Sequence, residues 1–123
     1  MEYYIIIRGP LGCGKSTISK ALAKRLKAEH FAVDRILDEF NLTKDKEKGY
    51  ISQKSFFKAN EIIAERAKKI LDDGRSVVFD GNFYWKSQID DLISRLDYTH
   101  YESKIVLQVN FPDFQQNPPK GPI

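Results

Sequence analysis

At 123 residues the chain is long enough for one domain with a real core and leaves no room for a second. With 41% hydrophobic and 30% charged residues it is globular rather than disordered, and a net charge of +3 suits anionic ligands without arguing for nucleic acid. Cys13 is the single cysteine, which excludes an internal disulfide; with no membrane-length apolar run and no signal-peptide layout, a soluble cytoplasmic protein is expected.

In chain order, Tyr3-Tyr-Ile-Ile-Ile7 is apolar on both faces and rich in β-branched residues, as a central parallel strand covered by helices on both sides would be. It leads into Gly9-Pro-Leu-Gly-Cys-Gly-Lys-Ser-Thr17. Glycine lets the backbone turn tightly there, so successive N–H groups are free to converge on phosphate oxygens. A helix opens at Lys15, and its N-terminal dipole adds to the attraction. A nucleoside di- or triphosphate is the expected ligand, with Gly9, Gly12, Cys13, Gly14, Lys15, Ser16 and Thr17 around it. Cys13 reads as a small-residue choice inside the loop, with a redox switch as the other reading. The helix is expected to run to about Ala28, with Ile18, Ala21, Leu22 and Leu26 inward and Lys20, Lys24, Arg25 and Lys27 in solvent.

Phe31-Ala-Val33 reads as a short second strand ending at Asp34. An acid there is either a site residue, because ligands of open parallel sheets collect at the carboxyl ends of strands, or a helix cap for residues 35–40. Asp38 would share a face with Asp34 or pair with Arg35. From Asn41 to Ser52 lysines alternate with acids and apolar anchors are scarce, so a mobile surface loop is expected, solvated or covering a substrate. Gln53 to Asp73 carries Phe56, Ala59, Ile63, Ala67 and Ile70 at helical spacing, and Gly74 supplies the stop. Asn60 and Arg66 on that helix could face a substrate. Ser76-Val-Val-Phe79 is a third buried strand ending in Asp80-Gly81-Asn82. Asp80 can there hold a magnesium-bound water or position a nucleophile, against the plainer reading of an Asp-Gly turn. Ser87 and Asp90 resemble a capping box ahead of the stripe Ile89, Leu92, Ile93 and Leu96, and residues 104–109 form a fourth strand.

Together, residues 5–17, Asp34, and Val-Val-Phe-Asp-Gly-Asn-Phe at 77–83 resemble the P-loop kinases, in the AAA-type branch of polynucleotide 5′-hydroxyl kinases, zeta-toxin-like kinases and small-molecule kinases. The resemblance implies a three-layer α/β/α fold on a mostly parallel sheet of at least four strands in the order 2-3-1-4. It also implies ATP and Mg2+ as cofactors. Lys15 would bridge the β- and γ-phosphates, Ser16 would bind magnesium, Thr17 would touch the α-phosphate, and Gly12 and Gly14 would wrap the phosphates. Lys15, Asp34 and Asp80 form the catalytic set. Asp34 would align or deprotonate the acceptor hydroxyl and Asp80 would stand in the outer shell of the magnesium, or the two acids would exchange roles.

The chain departs from the family where a lid helix with arginines, a fifth strand and an adenine-binding loop are expected. Phe111 to Ile123 has no arginine and one lysine, Lys120. The domain division is therefore a nucleotide-binding domain at 1–110 and an irregular proline-rich tail at 111–123, for which truncation or a shifted reading frame near Tyr101 is the favoured explanation. Otherwise the missing charge comes from Arg8, Arg35, Arg66 or another subunit. The functions in competition are an ATP-dependent kinase for a small hydroxyl- or phosphate-bearing acceptor or a nucleotide, a nucleotide-binding module with little turnover, and a polynucleotide 5′-kinase using the lysines of residues 44–58. A regulatory GTPase is disfavoured, because Asp-x-x-Gly after the third strand and Asn-Lys-x-Asp are both absent.

Overall fold

The computed structural model describes residues 3–9, 14–97 and 103–108. Strands β1 (Tyr3–Arg8), β2 (Glu29–Ala32), β5 (Val77–Gly81) and β6 (Ser103–Gln108) form a four-stranded sheet in the order β2-β5-β1-β6, each pair parallel. Among the strands of this sheet that order is 2-3-1-4, as the family resemblance implies. Strand β1 lies inside the sheet because it is apolar on both faces. Tyr4 and Ile6 join Val77 and Phe79 on one side, against α2 (Val33–Glu39), α3 (Gln53–Asp72) and α4 (Lys86–Asp97). Ile5, Ile7 and Val78 face the other way, against Ala23 and Leu22 of α1 (Lys15–Leu26). Helices thus cover both faces and complete three layers.

Helix α1 is rotated from the face its apolar residues predict. Lys15, Ser19 and Ala23 are its buried row, whereas Ile18 is 46% and Leu26 37% exposed. The cause is polar: Ser19 reaches a strand carboxylate and Lys15 turns towards the sheet end, and these contacts set the helix rotation. Hydrophobic spacing alone cannot anticipate that. The helix also stops at Leu26, two residues early, with Lys27 left-handed at φ 54° as its cap. The strand expected at 31–33 is β2, shifted to Glu29–Ala32, and Val33 already belongs to α2. Asp34 is therefore in the first turn of α2 and does not cap it; Ala32 holds the cap position without a side-chain bond.

The loop expected between 41 and 52 contains a β-hairpin, β3 (Lys46–Glu47) and β4 (Tyr50–Ile51), whose turn residues Lys48 and Gly49 have φ 52° and 84°. Two successive positive φ values match the twist of paired strands, which makes so short a hairpin feasible. Ser52 then caps α3: its hydroxyl accepts from the Ser55 N–H at 3.2 Å and donates to Asp45 at 2.6 Å. Helix α3 buries Phe56, Ala59, Ile63, Ala67 and Leu71 and ends at left-handed Gly74, close to expectation. Asn60 is fully buried, its amide donating to the Gln88 carbonyl at 2.9 Å and to Asp91 at 3.1 Å, so it joins α3 to α4 instead of facing a substrate. Arg66 lies over the Phe40 ring, 5.6 Å from its centroid. At the start of α4 the expected Ser87–Asp90 box is replaced by Gln88, whose side chain accepts from the Trp85 N–H at 3.3 Å, while Ser87 donates to Gln53. Residues 111–123, the expected tail, lie outside the described residues.

One contact fixes how α2 meets the sheet end. A Cβ on Gly81 would stand 2.8 Å from Cε2 of Phe83 and 2.9 Å from Cβ of Val33. Gly81 therefore permits the close approach that brings the first turn of α2 against the end of β5. Gly81→Ala is expected to destabilise the fold by about 1–3 kcal/mol through overpacking, since Val33 Cβ is anchored to the backbone and cannot swing away. Urea unfolding should show the lower midpoint with an unchanged slope.

Candidate phosphoryl-transfer site

The connection after β1 runs outward past β5 to β2, and the connection after β5 returns across β1 to β6, so the chain reverses direction beside β1. That reversal opens a crevice at the carboxyl ends of the strands. Gly9, buried, follows β1 directly, and Gly14, left-handed at φ 88°, leads into α1. Gly12 and Cys13 lie outside the described residues. Gly14 has the positive φ that a side chain would strain, and its carbonyl receives the Ile18 N–H at 3.1 Å to begin the helix. Lys15 is 5% exposed at the first helical position, while Ser16 and Thr17 beside it are open to solvent. Their hydroxyls and the free first-turn N–H groups can meet phosphate oxygens.

Lys15 Nζ stands 3.9 Å from Asp34 Oδ2. The close approach at Gly81 brings Asp34 to the end of β5, where the backbone N–H of Asn82 reaches its carboxylate. Asp34 titrates above the usual aspartate range. Burial is the main cause, the charges of Asp80 and Asp38 add to it, and Lys15 and the Asn82 N–H oppose it.

Asp80, across the strand pair from Ala32, is buried. Its Oδ2 accepts from the Ser19 hydroxyl at 2.7 Å and from Nε2 of His30, and the Ser19 hydroxyl is also 3.1 Å from that nitrogen. A carboxylate only accepts, so His30 must carry its hydrogen on Nε2 in this contact. Burial pushes the Asp80 carboxyl up, but the bonds from His30 and Ser19, with the charges of His30 and Lys15, outweigh it and leave the pKa below the ordinary range. The two acids at this sheet end are therefore driven apart in acidity by their surroundings.

Arg8, buried at the end of β1, donates from Nη2 to the Phe83 carbonyl at 3.0 Å and so holds the loop that follows β5. Phe83 has a positive φ of 42°, an uncommon backbone state for a bulky residue, which this bond helps hold. Beyond it, the Asn82 amide donates to the Tyr84 hydroxyl at 3.0 Å. Lys15, Ser16, Thr17, Asp34 and Asp80 thus come to one end of the sheet as expected. Ser19, His30, Asn82 and Tyr84 were not singled out by sequence. Ser19 had one signal, its place one turn after Lys15; His30 had none, since a lone histidine on a short strand marks nothing.

A family model for an AAA domain matches residues 5–112. Shikimate kinase from Legionella pneumophila (strain Paris) is 51% identical over 35 residues, which is 28% of this chain and 20% of that protein. The chain thus spans about a fifth of the length of the curated relatives it matches. Among solved structures, a sugar kinase from Janibacter sp. HTCC2649 superposes with a TM-score of 0.66 at 17% identity, covering 94% of this chain and 90% of the other. A chain of the Pnkp1/Rnl/Hen1 complex superposes with a TM-score of 0.68 at 14% identity, covering 99% and 40%. At such identities the likeness is one of fold. With its phosphate-loop sequence, its 2-3-1-4 sheet and a family match over residues 5–112, the chain belongs to the AAA domain family.

Proposed function

We propose that this domain transfers the γ-phosphoryl group of ATP to a hydroxyl or phosphate of a small molecule or nucleotide. The observation that carries the proposal is the pair of unlike acids around Lys15: a half-open Asp34 with raised pKa, 3.9 Å from the ammonium, and a buried Asp80 kept ionised. Phosphoryl transfer needs positioned charge and an aligned nucleophile more than covalent chemistry. Lys15 supplies charge to the β- and γ-phosphate oxygens. Asp34, open to water and held by Asn82, accepts the hydrogen of an incoming hydroxyl, and its raised pKa makes it the stronger base of the two.

Magnesium fits the donors present. Among the described residues no group of three or more His, Cys, Asp or Glu side chains could form an all-protein cage. A hard cation held mainly by phosphate oxygens and water needs only one or two protein groups, here the Ser16 hydroxyl and, through water, Asp80. When bound, the ion would neutralise negative charge on the phosphate oxygens of the nucleotide.

A polynucleotide 5′-hydroxyl kinase is a second reading, favoured by a cavity of about 620 Å3 whose lining includes Lys44, Lys54, Lys58 and Arg95 with the ring of Phe57. It requires oligonucleotide binding that weakens steeply with salt.

Four outcomes test the first reading. Lys15→Ala should lower phosphate transfer from ATP by about 10²–10³-fold while circular dichroism stays unchanged. Transfer should fall on the acid side as Asp34 is protonated, with that limb displaced upward from the ordinary value of about 3.9 and lost in Asp34→Asn. Stability should move the opposite way from activity. A carboxyl whose pKa is raised by folding contributes its stability below the unfolded pKa and loses it as pH rises through the folded one, so at pH 7 ionised Asp34 is a net cost. Asp34→Asn should thus raise Tm at pH 7 by about 1–3 °C, a small gain because more than a third of the side chain is solvent-exposed. Asp80 has the opposite sign: its contribution is present above the unfolded pKa and lost as pH falls through the lower folded value. Asp80→Asn should cost about 1–3 kcal/mol at pH 7, because Ser19 and His30 lose a charged acceptor. Phosphate transfer left unchanged by Asp34→Asn would sink the assignment of Asp34 as the base.

A further inference from the structure

We infer that the cavity formed by residues 41–45, the first half of α3 and Arg95 of α4 binds a small organic phosphate monoester. Its apolar or aromatic body lies on Leu42 and Phe57, and its phosphate is held by Lys44, Lys54 and Arg95. The lining shares no residue with the phosphoryl-transfer site, so the inference stands apart from the kinase reading.

The walls of this cavity are fixed by bonds that leave its cationic ends unused. Asp45 receives the Ser52 N–H on its carbonyl at 2.8 Å and the Ser52 hydroxyl on its carboxylate at 2.6 Å, which clamps the segment after α2 to the start of α3. Leu42 donates its N–H to the Leu37 carbonyl at 2.8 Å and packs against the core. Lys54, Phe57, Lys58 and Glu61 follow at helical spacing on one face of α3. From α4, Arg95 Nε donates to Asp91 at 2.9 Å, and Asp91 is held in turn by fully buried Asn60 at 3.1 Å. Among the described residues the Nη groups of Arg95 have no hydrogen-bond partner, and Lys44 and Lys54 have no carboxylate within ion-pair reach. Ser55 lines the same cavity at 5% exposure, and among the described residues its hydroxyl has no partner either.

Charge and shape together select the ligand. The cations Lys44, Lys54, Lys58 and Arg95 outnumber the acids Asp45 and Glu61, and both acids are engaged, Asp45 by Ser52 and Glu61 by Lys58 at 3.4 Å. A neighbouring cavity of about 280 Å3 shares Glu61 and Arg95, but with Glu65 and Lys68 its charges balance, so the anion belongs to the larger one. The backbone at the start of α3 is not what attracts it, since the Gln53 N–H goes to Glu47 at 3.1 Å and the Ser55 N–H to Ser52. Two ammoniums, a guanidinium fork and a hydroxyl match the three oxygens and nearly two charges of a phosphate monoester better than the two oxygens and single charge of a carboxylate. The volume, about 620 Å3, is that of a small-molecule site, and Leu42 and Phe57 supply its apolar part. Inorganic phosphate would leave that part uncovered.

The test titrates the full chain by calorimetry with phenyl phosphate, and separately with inorganic phosphate, phenol and benzoate. Phenyl phosphate should bind once per chain, about tenfold or more tighter than any of the other three. Lys44→Gln with Lys54→Gln, both at exposed positions, should weaken it by about tenfold, and Arg95→Gln by about threefold or more. Phe57→Ala should weaken phenyl phosphate by about fivefold or more and leave inorganic phosphate unchanged. Lys15→Ala should leave the affinity for phenyl phosphate as it is. Loss of binding in that variant would place the probe in the phosphate loop and overturn the inference. So would the absence of saturable binding, an affinity indifferent to the two lysine changes, or benzoate bound as tightly as phenyl phosphate. A single-stranded oligonucleotide preferred to phenyl phosphate at the same lysines would overturn it in favour of a polynucleotide surface. Because every readout is binding without ATP, failure of the kinase reading would leave the inference standing.

Discussion

The Asp80 carboxylate, held by Ser19 from α1 and His30 from β2, is the interaction on which the arrangement of this sheet end depends. A buried carboxylate without partners would protonate or unfold its surroundings, so these bonds are a condition of Asp80 being charged where it stands. They also tie three elements at one point. Because Ser19 must reach Asp80, α1 presents Lys15, Ser19 and Ala23 to the sheet and turns Ile18 and Leu26 outward. The rotation that satisfies the acid is the same rotation that brings the Lys15 ammonium to Asp34. Packing by apolar residues supports the helix, but a polar bond decides which way it faces.

A second constraint is steric. Gly81 has space for hydrogen only, with Val33 and Phe83 against it, and that approach brings Asp34 within reach of the Asn82 N–H. Arg8 pins the Phe83 carbonyl from the neighbouring strand, so the loop carrying Asn82, Phe83 and Tyr84 is fixed from the end of β1. Backbone and side-chain contacts from β1, β5 and α2 therefore converge on the acid without any of them belonging to the phosphate loop itself.

How much of this was legible in the sequence follows from what each signal measures. Apolar runs report burial on both faces, so Tyr3 to Ile7 and Ser76 to Phe79 announced central strands, and the fold followed from their number and spacing. The loop from Gly9 to Thr17 points to phosphate because glycine and lysine are used there for backbone and charge reasons that leave a fixed spacing. Acids after strands mark Asp34 and Asp80 as candidates by position, and the structure brings both to the carboxyl end of the sheet. What failed has two causes. The rotation of α1 and the burial of Asn60 are set by polar groups finding partners distant in sequence, which have no periodicity; the Lys48-Gly49 turn and the Gln88 cap are local, but they rest on positive φ values and a bond to Trp85 that hydrophobic spacing does not report. His30 is the extreme case, fifty residues from Asp80 and silent until the strands are side by side.

The two acids and the ammonium form a coupled set, and the coupling has a direction. A unit-charge pair about 4 Å apart is worth roughly 4 kcal/mol at an effective dielectric of 20 and about 1 kcal/mol in water, and the exposure of Asp34 places its pair with Lys15 nearer the lower figure. That attraction opposes the burial that raises Asp34. A nucleotide phosphate that took over Lys15 would remove the opposition and add negative charge of its own, so Asp34 would become more basic with nucleotide present than without it. Asp80 would also lose the charge of Lys15, but the bonds from Ser19 and His30, which come first among the effects that lower its pKa, would remain in place. Nucleotide binding would thus strengthen the base at the acceptor side while leaving the second acid ionised, which favours proton acceptance after the phosphate donor is in place.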